Sequence, residues 1–155
     1  MTNPVPRSVV EAFYQAYADR DVERIAQFLD DDVQWTVSGP VDLLRYCGTR
    51  HGKAPVLDMF GPQVLAVFRT CHIVPDMLLV DGERAAALSR LVAVKPNDDR
   101  TVSYRAAQFM RFRSGKLIEF CAVIDSFNAV EQVLGHAIGL GEGQPAATDG
   151  DLVAV

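Results

Sequence analysis

The stretch TVSYRAAQFMRFRSGKLIEFCAVIDSF, residues 101–127, reads as two strands around a Ser114-Gly115 turn, and it ends on an acid, Asp125, among apolar neighbours. A carboxylate withdrawn from water is costly unless it is paired, hydrogen-bonded or protonated. Asp125 therefore sits either at an exposed strand end or against a polar spot in a cavity. A two-residue turn at Ser114-Gly115 sets Arg113 opposite Lys116. Alternation then pairs Phe112 with Leu117, Met110 with Glu119, Gln108 with Cys121, Ala106 with Val123 and Tyr104 with Asp125 on one face. The other face of the last strand carries Ile118, Phe120, Ala122 and Ile124, all apolar. Two buried-type faces need two covers. The mixed face suits a pocket with a few converging polar groups, and the apolar face suits a second subunit.

Working outward, RSVVEAFYQAYA (7–18) places Val9, Val10, Phe13, Ala16 and Tyr17 on one helical stripe, with Ser8 and Glu11 spaced as a capping box. DVERIAQFL (21–29) repeats the pattern behind an Asp21 N-cap, and VQWTVSG (33–39) alternates like a strand. Residues 41–52 read as loop, and 53–70 as a helix interrupted at Gly61-Pro62. CHIVPDMLLVDG, ERAAALSRLVAVK and the opening pair of strands then form a meander punctuated at 81–82, 96–99 and 114–115. NAVEQVLGHA, from 128, predicts a short closing helix. The order predicts an α+β domain over 1–138: a curved antiparallel sheet, cone-shaped, wrapped around N-terminal helices with a pocket between them. Residues 139–155, polar and rich in glycine, predict a loose tail.

The bulk properties narrow the function. At 155 residues with 49% hydrophobic and 23% charged content, the chain has the makeup of one soluble domain with a real core. A net charge of −5 argues against a nucleic-acid partner, and no apolar run is long enough to span a membrane. The N-terminus lacks the layout of a signal peptide. Three cysteines without C-x-x-C spacing (Cys47, Cys71, Cys121) point to free thiols in the cytoplasm. His51, His72 and His136 are too scattered to predict a metal site, and no motif calls for a cofactor.

AYADRDVERIAQFLDDDVQW (16–35), HGKAPV (51–56) and FMRFRSGKLIEF…IDSFNAVEQVLG (109–135), taken in that order, resemble the nuclear-transport-factor-2-like superfamily. That superfamily includes SnoaL-like polyketide cyclases, ketosteroid isomerases, limonene epoxide hydrolase and scytalone dehydratase. The resemblance spans about residues 7–135 and implies the cone-shaped fold; activity varies across such a superfold. Where ketosteroid isomerases carry a tyrosine, an aspartate base and a second aspartate, this chain has Phe13, Val37 and Gln108. Where limonene epoxide hydrolase carries an Asp-Arg-Asp relay, it has Arg90 and, near the last-strand acid, Asp125, but Val92 replaces the remaining aspartate. The resemblance thus implies a SnoaL-like protein that binds a small apolar molecule. The alternative is a cyclase, isomerase or epoxide-hydrolase-like enzyme with Asp125 as acid or base and Arg90 beside it.

The candidate ligand-binding residues are Gln108, Tyr104, Trp35, Tyr17 and Met110. Each also has a plainer reading: Asp125 as cap of the closing helix, Arg90 as a surface residue, Trp35 and Tyr17 as core. The expected partners are the apolar ligand and a second copy of the chain. No nucleic acid or membrane is expected.

Overall fold

The computed structural model describes residues 3–139. The expected tail from residue 140 onward lies outside the described residues. Helix α1 (Arg7–Ala18) opens behind Pro6 with no side-chain cap. The expected capping box does not form, because Glu11 is drawn into an i,i+4 ion pair with Arg7 at 2.7 Å. Helix α2 (Val22–Phe28) is capped as expected, the Asp21 carboxylate accepting from the Arg24 N–H at 3.1 Å.

Strand β1 (Leu29–Ser38) follows at once, and β2 (Gly48–His51) pairs with it inside the segment expected to be loop. Four residues carry too little alternation to announce a strand. Helix α3 (Lys53–Asp58) continues as a widened π-turn (Met59–Gln63) around Pro62, and the helical stretch ends well before residue 70. Proline supplies no N–H and crowds the preceding turn, so the wider turn is a way to keep the chain helical through it.

Strands β3 (Thr70–Asp81), β4 (Arg84–Val94), β5 (Thr101–Arg113) and β6 (Lys116–Ile124) form the meander, and α4 (Ser126–Leu134) closes the described chain. The sheet order is β2-β1-β6-β5-β4-β3. The meander is antiparallel as expected, but β1 lies parallel to β6, which makes the curved, unclosed sheet mixed. No helix among the described residues is long and apolar enough to cross a membrane.

The β5–β6 hairpin begins in the expected register. Ser114 and Gly115 take φ of 50° and 75°, the mirror-image turn that matches strand twist, and Arg113 and Phe112 face Lys116 and Leu117. A bulge then intervenes: Arg111 faces Glu119, leaving Ile118 as the extra residue. Beyond it the register is displaced by one, which exchanges the faces of β6. Met110 now opposes Phe120, Gln108 opposes Ala122 and Ala106 opposes Ile124.

The reason lies in what each register buries. The expected one would put Glu119 inside the cone and Phe120 outside. The bulge instead buries both Leu117 and Phe120, three residues apart, and leaves Glu119 on the outer face in an ion pair with Arg111 at 3.0 Å. The apolar row assigned above to a second subunit is therefore mainly core, with Phe120 1% and Ala122 2% exposed. Phe120 stacks on Trp35 with centroids 3.7 Å apart, and Phe13 meets Phe28, Phe112 and Phe120 edge-on. This aromatic packing fills the cone between α1 and the sheet.

Candidate functional site

The bulge also decides the fate of Asp125. Its backbone N–H bonds the Arg105 carbonyl at 3.0 Å, and its carboxylate accepts from the Asn128 N–H at 3.2 Å as N-cap of α4. Its side is exposed, and it does not meet Tyr104. The plainer reading holds: the acid stays in water and satisfies a helix end. Arg90 pairs with Arg105 and Val74 on the outer face, also exposed. The two residues expected to carry catalysis are thus neither together nor inside the cone.

Gln108 is fully buried but turned to a network of its own. Its amide Nε2 donates to Ser89 Oγ at 2.8 Å, and the Tyr14 hydroxyl donates to its Oε1 at 3.1 Å. A buried amide so satisfied specifies packing rather than presenting itself to a ligand. Met110 is buried in the core beside Phe120. The remaining candidates, Tyr17, Trp35 and Tyr104, do converge. They line one cavity of about 30 Å³ under the open end of the cone, together with Arg20 and Tyr46. Val37, Ile73, Leu91 and Ile124 supply apolar wall. A buried water occupies roughly 10–15 Å³ by this measure, so the enclosed space holds two or three waters or the head group of a small molecule.

Tyr46 and Tyr104 join hydroxyl to hydroxyl across the cavity wall. Burial pushes the pKa of both well above the ordinary phenol value, as it does for Tyr17. These phenols therefore stay protonated at neutral pH, each able to donate and to accept a hydrogen bond. Trp35 is 1% exposed, and its indole N–H has no acceptor among the described residues. A buried donor without a partner is uncommon in a folded protein and calls for a reason.

Arg20 is the residue that sequence reasoning missed. It sits two residues past the end of α1, just after the Asp19 C-cap, at φ 60°, left-handed, with its N–H on the Tyr17 carbonyl and the Asp21 N–H reaching back to Ala16. This is the helix ending that glycine usually supplies, and a side chain there costs about 1–2 kcal/mol. The strained turn places the guanidinium 4.9 Å from the Phe60 ring centroid and 6.0 Å from that of Tyr17. The π-turn around Pro62 carries Phe60, which also meets Trp35 edge-on at 5.5 Å. No ion pair joins Arg20 to a carboxylate among the described residues, and none of the residues lining the cavity is acidic. Its charge opposes the burial that raises the Cys71 thiol. Nothing in ADRD (18–21) announces this role, since a positive φ is not written in residue type. Tyr46 was missed because its segment, a wall of the cone, reads as loop; Arg50 ties that segment down by donating to the carbonyls of Arg45, Tyr46 and Cys47.

Comparison with known proteins agrees with this architecture. A putative isomerase from Rhodopseudomonas palustris is 31% identical, with a TM-score of 0.69 over 82% of this chain and 93% of that one. An NTF2-like protein of unknown function from Burkholderia pseudomallei is 24% identical, with a TM-score of 0.67 over 76% of this chain and 88% of that one. TerC, crystallised with polyporic acid, is 21% identical, with a TM-score of 0.67 over 76% of this chain and 89% of that one. No protein of curated function matches. The sequence profile of the SnoaL-like domain matches residues 10–120. With that profile over most of its length and a curved sheet packed on its helices, the chain belongs to the SnoaL-like family of the NTF2-like fold.

Proposed function

We propose that this chain is a small-molecule-binding protein whose ligand enters the cavity beside Trp35, Tyr17 and Tyr104. The observation that carries the reading is Trp35, which lines the cavity and whose buried indole N–H has no acceptor among the described residues. A ligand atom or a trapped water is what such a donor lacks. Trp35 is also the single tryptophan, so its emission reports occupancy without labelling. Small apolar carbonyl compounds and acids are expected to change that emission saturably, and Tyr104→Phe is expected to weaken the tightest of them about tenfold. Unchanged emission throughout such a series would sink the proposal.

The enzymatic alternative, with Asp125 as acid or base, has less support, because that carboxylate is exposed and committed to capping α4. The three free thiols fit a cytoplasmic setting.

We also propose that the chain pairs with a second copy through the outer face of the sheet. The register shift gives that face neighbouring apolar rows: Leu79, Ala86, Phe109 and Cys121, then Met77, Leu88, Ala107 and Val123. Leu79 and Phe109 are 56% and 53% exposed, and Met77 and Val123 are 48% and 50% exposed. Such a patch exceeds the scattered apolar residues of an ordinary surface. The exposed Arg111–Glu119 pair at its margin offers both signs of charge, which suits a two-fold contact with an identical patch. Light scattering at micromolar concentration is expected to give a dimer, with Phe109→Glu a folded monomer. A monomeric wild-type chain would rule the interface out.

A further inference from the structure

We infer that the cavity is built for the anionic oxygen head of a small molecule, a carboxylate or enolate read by Arg20; this rests on the reading of the cavity as a ligand site. Two side chains at the cavity, Trp35 and Arg20, can only donate, while the hydroxyls of Tyr17, Tyr46 and Tyr104 can donate as well as accept. Trp35 supplies an indole N–H and nothing else, and Arg20 supplies guanidinium N–H groups and a fixed charge. Tyr46 and Tyr104 hold two hydroxyl hydrogens between them and use one in their mutual bond, leaving one to give. No acidic side chain and no amide lines the cavity among the described residues, so a cationic ligand would face the Arg20 charge with no carboxylate to offset it.

Size agrees with chemistry. A space of about 30 Å³ holds two or three waters, the bulk of a planar acetate-sized group. Backbone strain agrees as well. Arg20 occupies a left-handed position that glycine or asparagine would take at less cost, and what an arginine adds there is a cation that lies over Phe60 and itself lines the cavity. A guanidinium without a carboxylate partner binds an oxyanion by charge-assisted hydrogen bonds, the stronger kind.

The test uses acetate, acetamide and acetamidinium, which share a shape and differ in charge. With a single tryptophan the chain gives one indole N–H resonance, and its displacement at neutral pH and constant ionic strength reads binding at the site itself. Acetate is expected to move that resonance saturably with a midpoint at least about tenfold below that of acetamide, and acetamidinium to leave it in place. Arg20→Asn keeps a residue that tolerates the left-handed turn and removes the charge; the preference for acetate is expected to fall to within about threefold of acetamide. Equal binding of acetate and acetamide by the wild type overturns the anion preference and leaves the cavity as a neutral site. Persistence of the preference in Arg20→Asn, with the fold verified by its melting curve, overturns the assignment to Arg20. If none of the three moves the resonance, the ligand site falls, and this inference with it.

Discussion

Phe120→Glu is expected to unfold the domain rather than to separate subunits. Phe120 is 1% exposed, stacks on Trp35 at 3.7 Å and lies 5.3 Å from Tyr17 and 6.4 Å from Phe13, centroid to centroid. Losing a buried phenylalanine costs about 3–5 kcal/mol in contacts and cavity alone. Glutamate adds either a buried charge or the work of protonating one, which is several kcal/mol more. A domain of ordinary stability, about 5–15 kcal/mol, does not survive the sum. Circular dichroism should show no cooperative melt on heating from 25 °C, whereas Phe109→Glu, on the open face, should still melt cooperatively. A Phe120→Glu protein that melts cooperatively within a few degrees of wild type would show that the bulge after Leu117 is misplaced and that β6 presents its other face to the core.

Base should unfold the protein steeply. The folded-state pKa values of Tyr17, Tyr46 and Tyr104 are raised by burial, and for Tyr104 the neighbouring Tyr46 raises it further. Unfolded tyrosine ionises near about 10. A group with a raised folded pKa contributes stability that is fully present below the unfolded pKa and is lost as pH rises toward the folded value. Here that window opens at about pH 10, where the unfolded chain releases protons that the folded chain keeps. Each such group costs about 1.4 kcal/mol per pH unit, so these tyrosines together remove about 4 kcal/mol per unit. Cys47, whose thiol burial pushes up to about 11, adds to the loss from a lower starting pH. The expected midpoint of base unfolding lies between about pH 11 and 12. Phenolate absorbance and loss of ellipticity should rise together, and Tyr46→Phe with Tyr104→Phe should make the pH dependence shallower, since fewer groups titrate. Complete ionisation of all four tyrosines near pH 10 with the fold intact would contradict the burial described here.

The fold was legible because its strongest signals are local. Periodicity places α1 and α2, the Asp21 cap is a three-residue interaction, and Ser114-Gly115 sets its turn by backbone preference alone. From these the sequence by itself determined an α+β cone with a late meander, and it placed Tyr17, Trp35 and Tyr104 on inward positions. Tertiary structure decided the rest through one residue. Ile118 is extruded because burying Leu117 and Phe120 together, with Glu119 outside beside Arg111, lowers the free energy more than an unbroken ladder would. That choice reverses β6, takes Asp125 out of the cone, and moves the open apolar face from Phe120 to Phe109. The same holds at Arg20, where a helix end and a distant π-turn meet: residue type does not select a left-handed arginine, and its guanidinium packs over Tyr17 and Phe60 only in the folded chain.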